Sequence, residues 1–111
     1  LLRKQQVQIS TAKELYLKIF DDFPALIWRS RLDKMCDYFN KTWLEWTGHT
    51  LEHEFGNGWT TGVHPDEFDQ CVATYVAAFD KRNPFYMEYR LKNKYGQYRW
   101  IGDHGQPFYD L

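Results

Sequence analysis

The run from Phe85 to Asp103, FYMEYRLKNKYGQYRWIGD, constrains the fold of this chain more than any other stretch. From Phe85 to Leu91 the residues alternate, with Phe85, Met87, Tyr89 and Leu91 on one side and Tyr86, Glu88, Arg90 and Lys92 on the other. A period of two puts an apolar row on one face of a strand and a mostly polar row on its back. Asn93–Gln97 holds a glycine among polar residues, and Gln97–Ile101 reads as strand again. The stretch therefore predicts a β-hairpin with a loop of about four or five residues. An isolated hairpin is not stable in water, so other strands or a helix must cover its apolar face.

A chain of 111 residues supplies one domain with one core. Its 14 Lys+Arg balance 15 Asp+Glu. A general nucleic-acid or membrane-surface binder usually needs a basic excess, so neither partner is expected. Aromatic residues make up 19% of the chain, a composition that suits a dense core, a pocket for a flat ligand, or an interface. The two cysteines, Cys36 and Cys71, imply no disulfide framework and fit a reducing cytoplasm. No apolar run approaches the roughly 20 residues of a membrane span, and no signal peptide is visible. The opening Leu1-Leu2 and the ending at Asp110-Leu111, just after a strand-like segment, predict a piece of a longer protein.

Taken in order, residues 1–9 carry too few apolar positions to fix a period and are expected to continue a linker helix. Ser10 or Thr11 can cap a helix through about Asp21, with Glu14 at capping-box spacing from Thr11. Ala12, Leu15, Tyr16, Ile19 and Phe23 give it one apolar face, and Pro24 ends it. Ala25–Arg31 predicts a strand, Leu32–Met35 a turn, and Cys36–Asn40 the partner strand. Asn40 then caps a short helix that Gly48 terminates. A second short helix is expected over Thr50–Phe55, after which Gly56, Gly58 and Gly62 break regular structure. His64-Pro65-Asp66-Glu67 is a dense helix start, with Pro65 at the first helical position and two acids facing the positive end of the dipole. That helix runs to about Lys81 with Phe68, Val72, Tyr75 (or Val76) and Phe79 as its buried stripe and Cys71 alongside. The two hairpins are expected to form one antiparallel sheet with the helices on one face, an α+β arrangement.

Four spaced motifs then agree in order: Tyr38-Phe39-Asn40, Trp43–Gly48, Trp59 through Val63-His64-Pro65-Asp66, and Glu88–Ile101 with its Glu-Tyr-Arg-Leu and Gly-x-Tyr-Arg-Trp-Ile halves. Over roughly Phe23 to Pro107 the chain resembles a PAS domain of bacterial and archaeal sensory proteins. The resemblance implies a flanking helical segment over 1–22 and a PAS core over 23–111. That core would have a five-stranded antiparallel sheet with helices enclosing a small pocket over its concave face. Two departures follow. The family's last, central strand comes after the segment matching Gly105-Gln106-Pro107, so here it is expected to be absent or to lie beyond Leu111. The usual Asp-Gly of the first hairpin is Asp33-Lys34, so that turn is expected to use another geometry.

In this architecture the pocket candidates are Ile27, Phe39, Trp43, Trp46, Cys71, Tyr75, Met87, Tyr89 and Trp100. They could hold a small flat or apolar ligand, with Tyr hydroxyls or indole N–H groups orienting it, or could simply fill the core. No cofactor is identified: the flavin photosensors of this fold carry a Cys in an Asn-Cys-Arg-Phe-type motif, and none lies between Gly56 and His64. A haem sensor needs an axial His on or near the long helix, and His64 reads as a cap, so haem is not expected. Cys71 has no basic neighbour and reads as a buried inert thiol. His49 and His53, four apart and near Glu52 and Glu54, could share a metal, but a solvated polar face is the reading and no metal is expected. Glu88, Arg90 and Lys92 are expected on a solvated sheet back with cross-strand pairing. Asp103 is marked as a possible contact to an output domain.

No Gly-x-Ser-x-Gly, Cys–His signature or phosphate-binding loop occurs, so no catalysis is assigned to this domain. The resemblance implies a cytoplasmic sensory or regulatory module, ligand-binding or dimer-transmitting, linked covalently to a histidine kinase or a cyclic-dinucleotide enzyme such as a diguanylate cyclase. A homodimer through the Ser10–Asp21 helix, with Leu15 and Ile19 at the contact, is expected. The competing readings are a ligand-free dimerisation spacer, a small enzyme on a ketosteroid-isomerase-like cone, which needs a buried carboxylate in its pocket, and an RNA-binding sheet, which the neutral charge opposes.

Overall fold

The computed structural model describes residues 14–15 and 18–107. The alternation in the late hairpin has its predicted result. Strand β3, Phe85–Lys92, pairs antiparallel with β4, Tyr98–Gly105, in unbroken register from Phe85↔Gly105 to Lys92↔Tyr98. β4 thus runs four residues beyond the expected Ile101. The loop closes on Asn93, whose Oδ1 accepts from Tyr95 N and Gln97 N, both at 3.0 Å, while Gly96 takes φ 78°.

The first hairpin is shorter than its pattern suggests. β1 is Trp28–Ser30 and β2 is Cys36–Phe39, with three paired positions and a bulge between Arg29 and Ser30. The expected strand from Ala25 does not form because a side chain holds that segment instead of a ladder. Asn40 is 0% exposed, and all of its amide is used. Its Oδ1 accepts from Ile27 N and Trp43 N, both at 3.0 Å, and its Nδ2 donates to the carbonyls of Phe20 and Ala25, both at 2.8 Å. One residue therefore caps a helix, pins the chain entering β1 and ties residue 20 to the core. The turn at Asp33-Lys34 is also corrected. Lys34 itself adopts the left-handed φ of 71° that a glycine would take, while Asp33 Oδ1 accepts from Met35 N at 3.0 Å. Tyr75 donates its hydroxyl to Lys34 O at 2.9 Å, and Lys34 Nζ meets Asp80 at 2.6 Å, so the helix over Pro65–Lys81 supports the strained residue.

Between the hairpins lie α1 (Lys41–Thr47), α2 (Leu51–Glu54), a 3₁₀ turn over Gly58–Gly62 where no regular structure was expected, and α3 (Pro65–Lys81). Gly48 ends α1 at φ 74°, and Thr50 caps α2 through His53 N. His64 caps α3 by accepting from Asp66 N through Nδ1. Cys71 and Tyr75 form the buried line of α3, whereas Phe68, expected in that stripe, is exposed. The start of α3 is attached to the hairpin: Val63 bridges Leu91, and His64 N donates to Arg90 O at 2.9 Å. Arg90 pairs with that helix start, with Nε on Glu67 Oε1 at 2.5 Å and Nη2 on Asp66 Oδ2 at 3.3 Å, and also across the strands, where its guanidinium lies over the Trp100 ring.

Mixed helix and strand content fits the α+β class, but the expected single five-stranded sheet is not seen. Among the described residues there are two two-stranded sheets, and β1 and β4 share no ladder. One core nonetheless joins them, built from Cys36, Phe39, Trp43, Trp59, Val63, Cys71, Tyr89 and Leu91. Burial of these side chains, rather than strand pairing, keeps the two hairpins together.

Candidate functional site

The register of β3 and β4 decides which side chains face the core. Tyr89 and Leu91 are buried from β3, and the residue opposite Met87 is Asp103. Asp103 therefore points inward. It is 8% exposed and lies in the wall of an interior cavity with Trp28, Phe39, Trp43, Trp59 and Tyr75 around it. Trp28 Nε1 donates to Asp103 Oδ1, and the Tyr89 hydroxyl donates to Oδ2, both at 2.9 Å. This carboxylate is thus the polar centre of an aromatic chamber, and through it β1 meets the second hairpin. Trp28 adds ring contacts to Phe85, stacked at 6.2 Å, and to Tyr75, edge-on at 6.0 Å.

The electrostatics follow from the burial. Removal from water raises the Asp103 carboxyl above its ordinary range, and the two donors pull in the opposite direction without cancelling that effect. Burial next to this carboxylate lifts the Tyr89 phenol well above its usual value. The thiols of Cys36 and Cys71 are both pushed up to about 12 by burial, so neither is a nucleophile at neutral pH. The free space inside the chamber is about 10 Å³ for the centre of a water molecule. That admits about one water, so in this conformation the aromatic side chains largely fill the interior.

Of the residues expected in the pocket, Phe39, Trp43, Tyr75, Met87 and Tyr89 line this chamber. Cys71 is buried behind it and borders a shallower surface depression with Glu67, Gln70, Thr74, Tyr86, Met87 and Glu88. Ile27 and Trp46 are half-buried outside the chamber. Trp100 is a correction. It pairs with Arg90 on the outward row, is 63% exposed, and carries the Arg90 guanidinium 5.1 Å above its ring. The expected roles of Trp100 and Asp103 are therefore exchanged: the tryptophan faces solvent, and the carboxylate marked for an outward contact faces the core. Counting across the five-residue loop would have found this, since a loop over Asn93–Gln97 pairs Lys92 with Tyr98 and so Met87 with Asp103. Trp28, Cys36 and Trp59 complete the chamber and were not anticipated. Trp28 sits on a bulged strand, and Trp59 in the 3₁₀ turn, where no simple period shows which face is buried.

Two other expectations concern polar residues. Glu54 is not part of a solvated face. It is 2% exposed, and its carboxylate lies against His49, His53 and the Trp43 indole. Leu15 and Ile19, assigned to a dimer contact, are exposed on the helical residues preceding the sheet, as are Phe20 and, in the bend that follows, Phe23. Residues 10–13 and 16–17 of that predicted helix lie outside the described residues. The helical residues 18–22 are tied to the core by Tyr38, which donates its hydroxyl to Asp21 Oδ1 at 2.7 Å, and by Asn40. Among the described residues no helix is long and apolar enough to cross a membrane.

Comparison with known proteins agrees with this geometry. A family model described as "PAS fold" matches residues 37–111. An uncharacterized protein, y4lL, of Sinorhizobium fredii (strain NBRC 101917 / NGR234) is 39% identical over 105 residues, which is 95% of this chain. The chain spans 13% of the length of that relative. The motif order, the two hairpins around one aromatic core and the match over residues 37–111 lead to one conclusion: this chain belongs to the PAS family.

Proposed function

We propose that the chain is the sensory or regulatory module of a longer cytoplasmic signal-transduction protein, passing its state to a covalently linked histidine kinase or cyclic-dinucleotide output domain. It performs no catalysis itself. The observation that carries this reading is the Asp103 bridge. It joins Trp28 of β1 to Tyr89 of β3 inside a nearly filled chamber, so a change of packing there reaches both hairpins at once. A module of this kind works by biasing two arrangements of its flanking segments, by an amount equal to the differential free energy of the input. The exposed apolar face with Leu15 and Ile19 supports a homodimer through the flanking helix as the readout. Light scattering after size exclusion tests this. The chain is expected to be a dimer, and Leu15→Ala with Ile19→Ala, both exposed and so tolerated by the fold, is expected to make it a monomer. A dimer that survives both changes removes the helix from the mechanism.

A second reading, that a small molecule is the input, is favoured by one observation. Trp59 Nε1 is buried in the chamber wall without a hydrogen-bond partner among the described residues, and the same chamber holds a carboxylate that accepts two bonds. An occupant with an acceptor for Trp59 and a donor for Asp103 would satisfy both, with the aromatic walls moving apart to admit it. Native mass and the absorbance spectrum of the purified chain decide between the readings. A retained small molecule, or a flavin or haem band, would favour a ligand. A bare mass with a melting temperature unmoved by a broad metabolite panel would leave transmission through packing.

A further inference from the structure

On the side of Trp43 away from the chamber, three potential metal ligands from a six-residue stretch converge. Gly48, left-handed at φ 74°, turns the chain after α1 so that His49 comes back over α2, which carries His53 and Glu54. A side chain at position 48 would meet Lys94 Cβ at 2.9 Å, and Lys94 N donates to Trp46 O at 2.8 Å, so the β3–β4 loop holds this turn in place. Both imidazoles direct the same atom, Nδ1, at the same oxygen, Glu54 Oε1. His49 is in hydrogen-bond contact with it, and His53 lies at 3.3 Å. The rings are 4.1 Å apart, and one ligand atom from each of the three residues falls within 4.8 Å of the others.

This arrangement gathers two imidazole nitrogens around one buried carboxylate oxygen. A buried carboxylate ordinarily needs a cation or several donors. Among the described residues the groups bonded to Glu54 are two imidazoles and, on Oε2 at 3.3 Å, the Trp43 indole, with no Lys or Arg in an ion pair with it. A single divalent ion at the point of convergence would be held by the carboxylate and both Nδ1 atoms, at the distances of about 2.0–2.1 Å usual for such bonds after side-chain rotation. Both histidines are partly exposed, so an ion can enter and keep solvent in its remaining positions.

We propose that His49, His53 and Glu54 form a binding site for a divalent first-row transition metal, with two nitrogen ligands and one oxygen ligand, a set that suits Zn²⁺ and its neighbours. Because Glu54 also holds the Trp43 indole, and Trp43 lines the chamber, the metal would bear on a chamber wall from behind.

The test is titration of ZnCl₂ into the untagged, chelator-treated chain by calorimetry, with CoCl₂ absorption as a spectroscopic check. One ion per chain is expected, with visible cobalt bands. His53→Gln, at an exposed position, is expected to weaken binding by at least about tenfold and to abolish the bands, because even outer-shell partners of a bound metal are worth about 10–100-fold. His49→Gln should do the same. The other cluster of potential ligands, His64 with Asp66 and Glu67, supplies the control, since Glu67 there is already held by Arg90. His64→Gln is expected to leave binding unchanged. Absence of binding at millimolar Zn²⁺, binding indifferent to both His49→Gln and His53→Gln, or loss on His64→Gln would each overturn the site.

Discussion

The two hairpins of this domain solve the same problem by different means. β3 and β4 pair over eight residues in unbroken register, and their turn uses a glycine at its left-handed position. β1 and β2 pair over three positions with a bulge, and their turn forces Lys34 into the same left-handed region. A backbone ladder holds the second hairpin. The first is held from outside, by the Asn40 amide at one end and by Tyr75 and Asp80 of α3 at the other. A short strand pair is therefore as dependent on a few buried side chains as a long pair is on its repeated hydrogen bonds.

The sharpest way to break this contrast is Asn40→Ala. It takes partners from the N–H groups of Ile27 and Trp43 and from the carbonyls of Ala25 and Phe20, the last of which keeps only its bond from Phe23 N. A loss of about 3–5 kcal/mol in urea denaturation is expected, and a loss below about 1 kcal/mol would show that the ladder holds the first hairpin after all. Tyr89→Phe comes next. It takes one donor from buried Asp103 within the second hairpin and leaves the Trp28 bond as that carboxylate's remaining support, at about 1–2 kcal/mol. A Trp28/Tyr89 double-mutant cycle measures how far the two donors act together. In the second turn, Gly96→Ala meets no atom within 4 Å but must hold φ 78°, so about 1 kcal/mol is expected from backbone strain alone.

Asp103→Asn sharpens the comparison through pH. Folded Asp103 holds its proton more tightly than the unfolded chain does, because burial raises its pKa. Between the unfolded and folded values the native state binds more protons, so stability falls as pH rises through that window. Asn is expected to remove this decline, giving a flatter stability curve just above the ordinary aspartate range. Glu67 has the opposite sign. Arg90 lowers its pKa, so its contribution is present above the ordinary glutamate value and is lost as pH falls below it. An Asp103→Asn curve that keeps the wild-type slope would locate the titration elsewhere. The smallest effect is expected for Lys34→Gly. Relief at φ 71° is set against an exposed Lys34–Asp80 pair that is worth little, for a net gain below about 1 kcal/mol.

Much of this was legible in the residues, and the exceptions share a cause. Period-two alternation, the Asn, Thr and His caps and the glycine stops are local signals, and the elements they mark are where they were expected. The chamber depends on register. Trp100 was placed inside because tryptophan is apolar, yet its pairing with Arg90 turns it outward. Asp103 was marked for a contact to an output domain, yet its pairing with Met87 turns it inward. Glu54 follows the same rule, since its burial comes from the turn at Gly48 and the indole of Trp43, neither of which is visible in a window of neighbouring residues. Residue type sets a preference for inside or outside, and geometry can overrule it when partners are available to a buried polar group.

The reach of two hydrogen bonds has a kinetic consequence. The longest Asn40 contact spans 20 residues, to Phe20, whereas Trp28 and Asp103 lie 75 apart. Closing the shorter loop costs less chain entropy, and low sequence separation favours early formation. Each hairpin, closed by contacts of low separation such as Tyr89 to Asp103 at 14 residues, is therefore positioned to assemble before the Trp28–Asp103 bond joins the two. Asn40 belongs to an early local unit by this argument and the Trp28 indole, through its bond to Asp103, to the last step. Substitution at the first should slow folding, while substitution at the second should chiefly quicken unfolding.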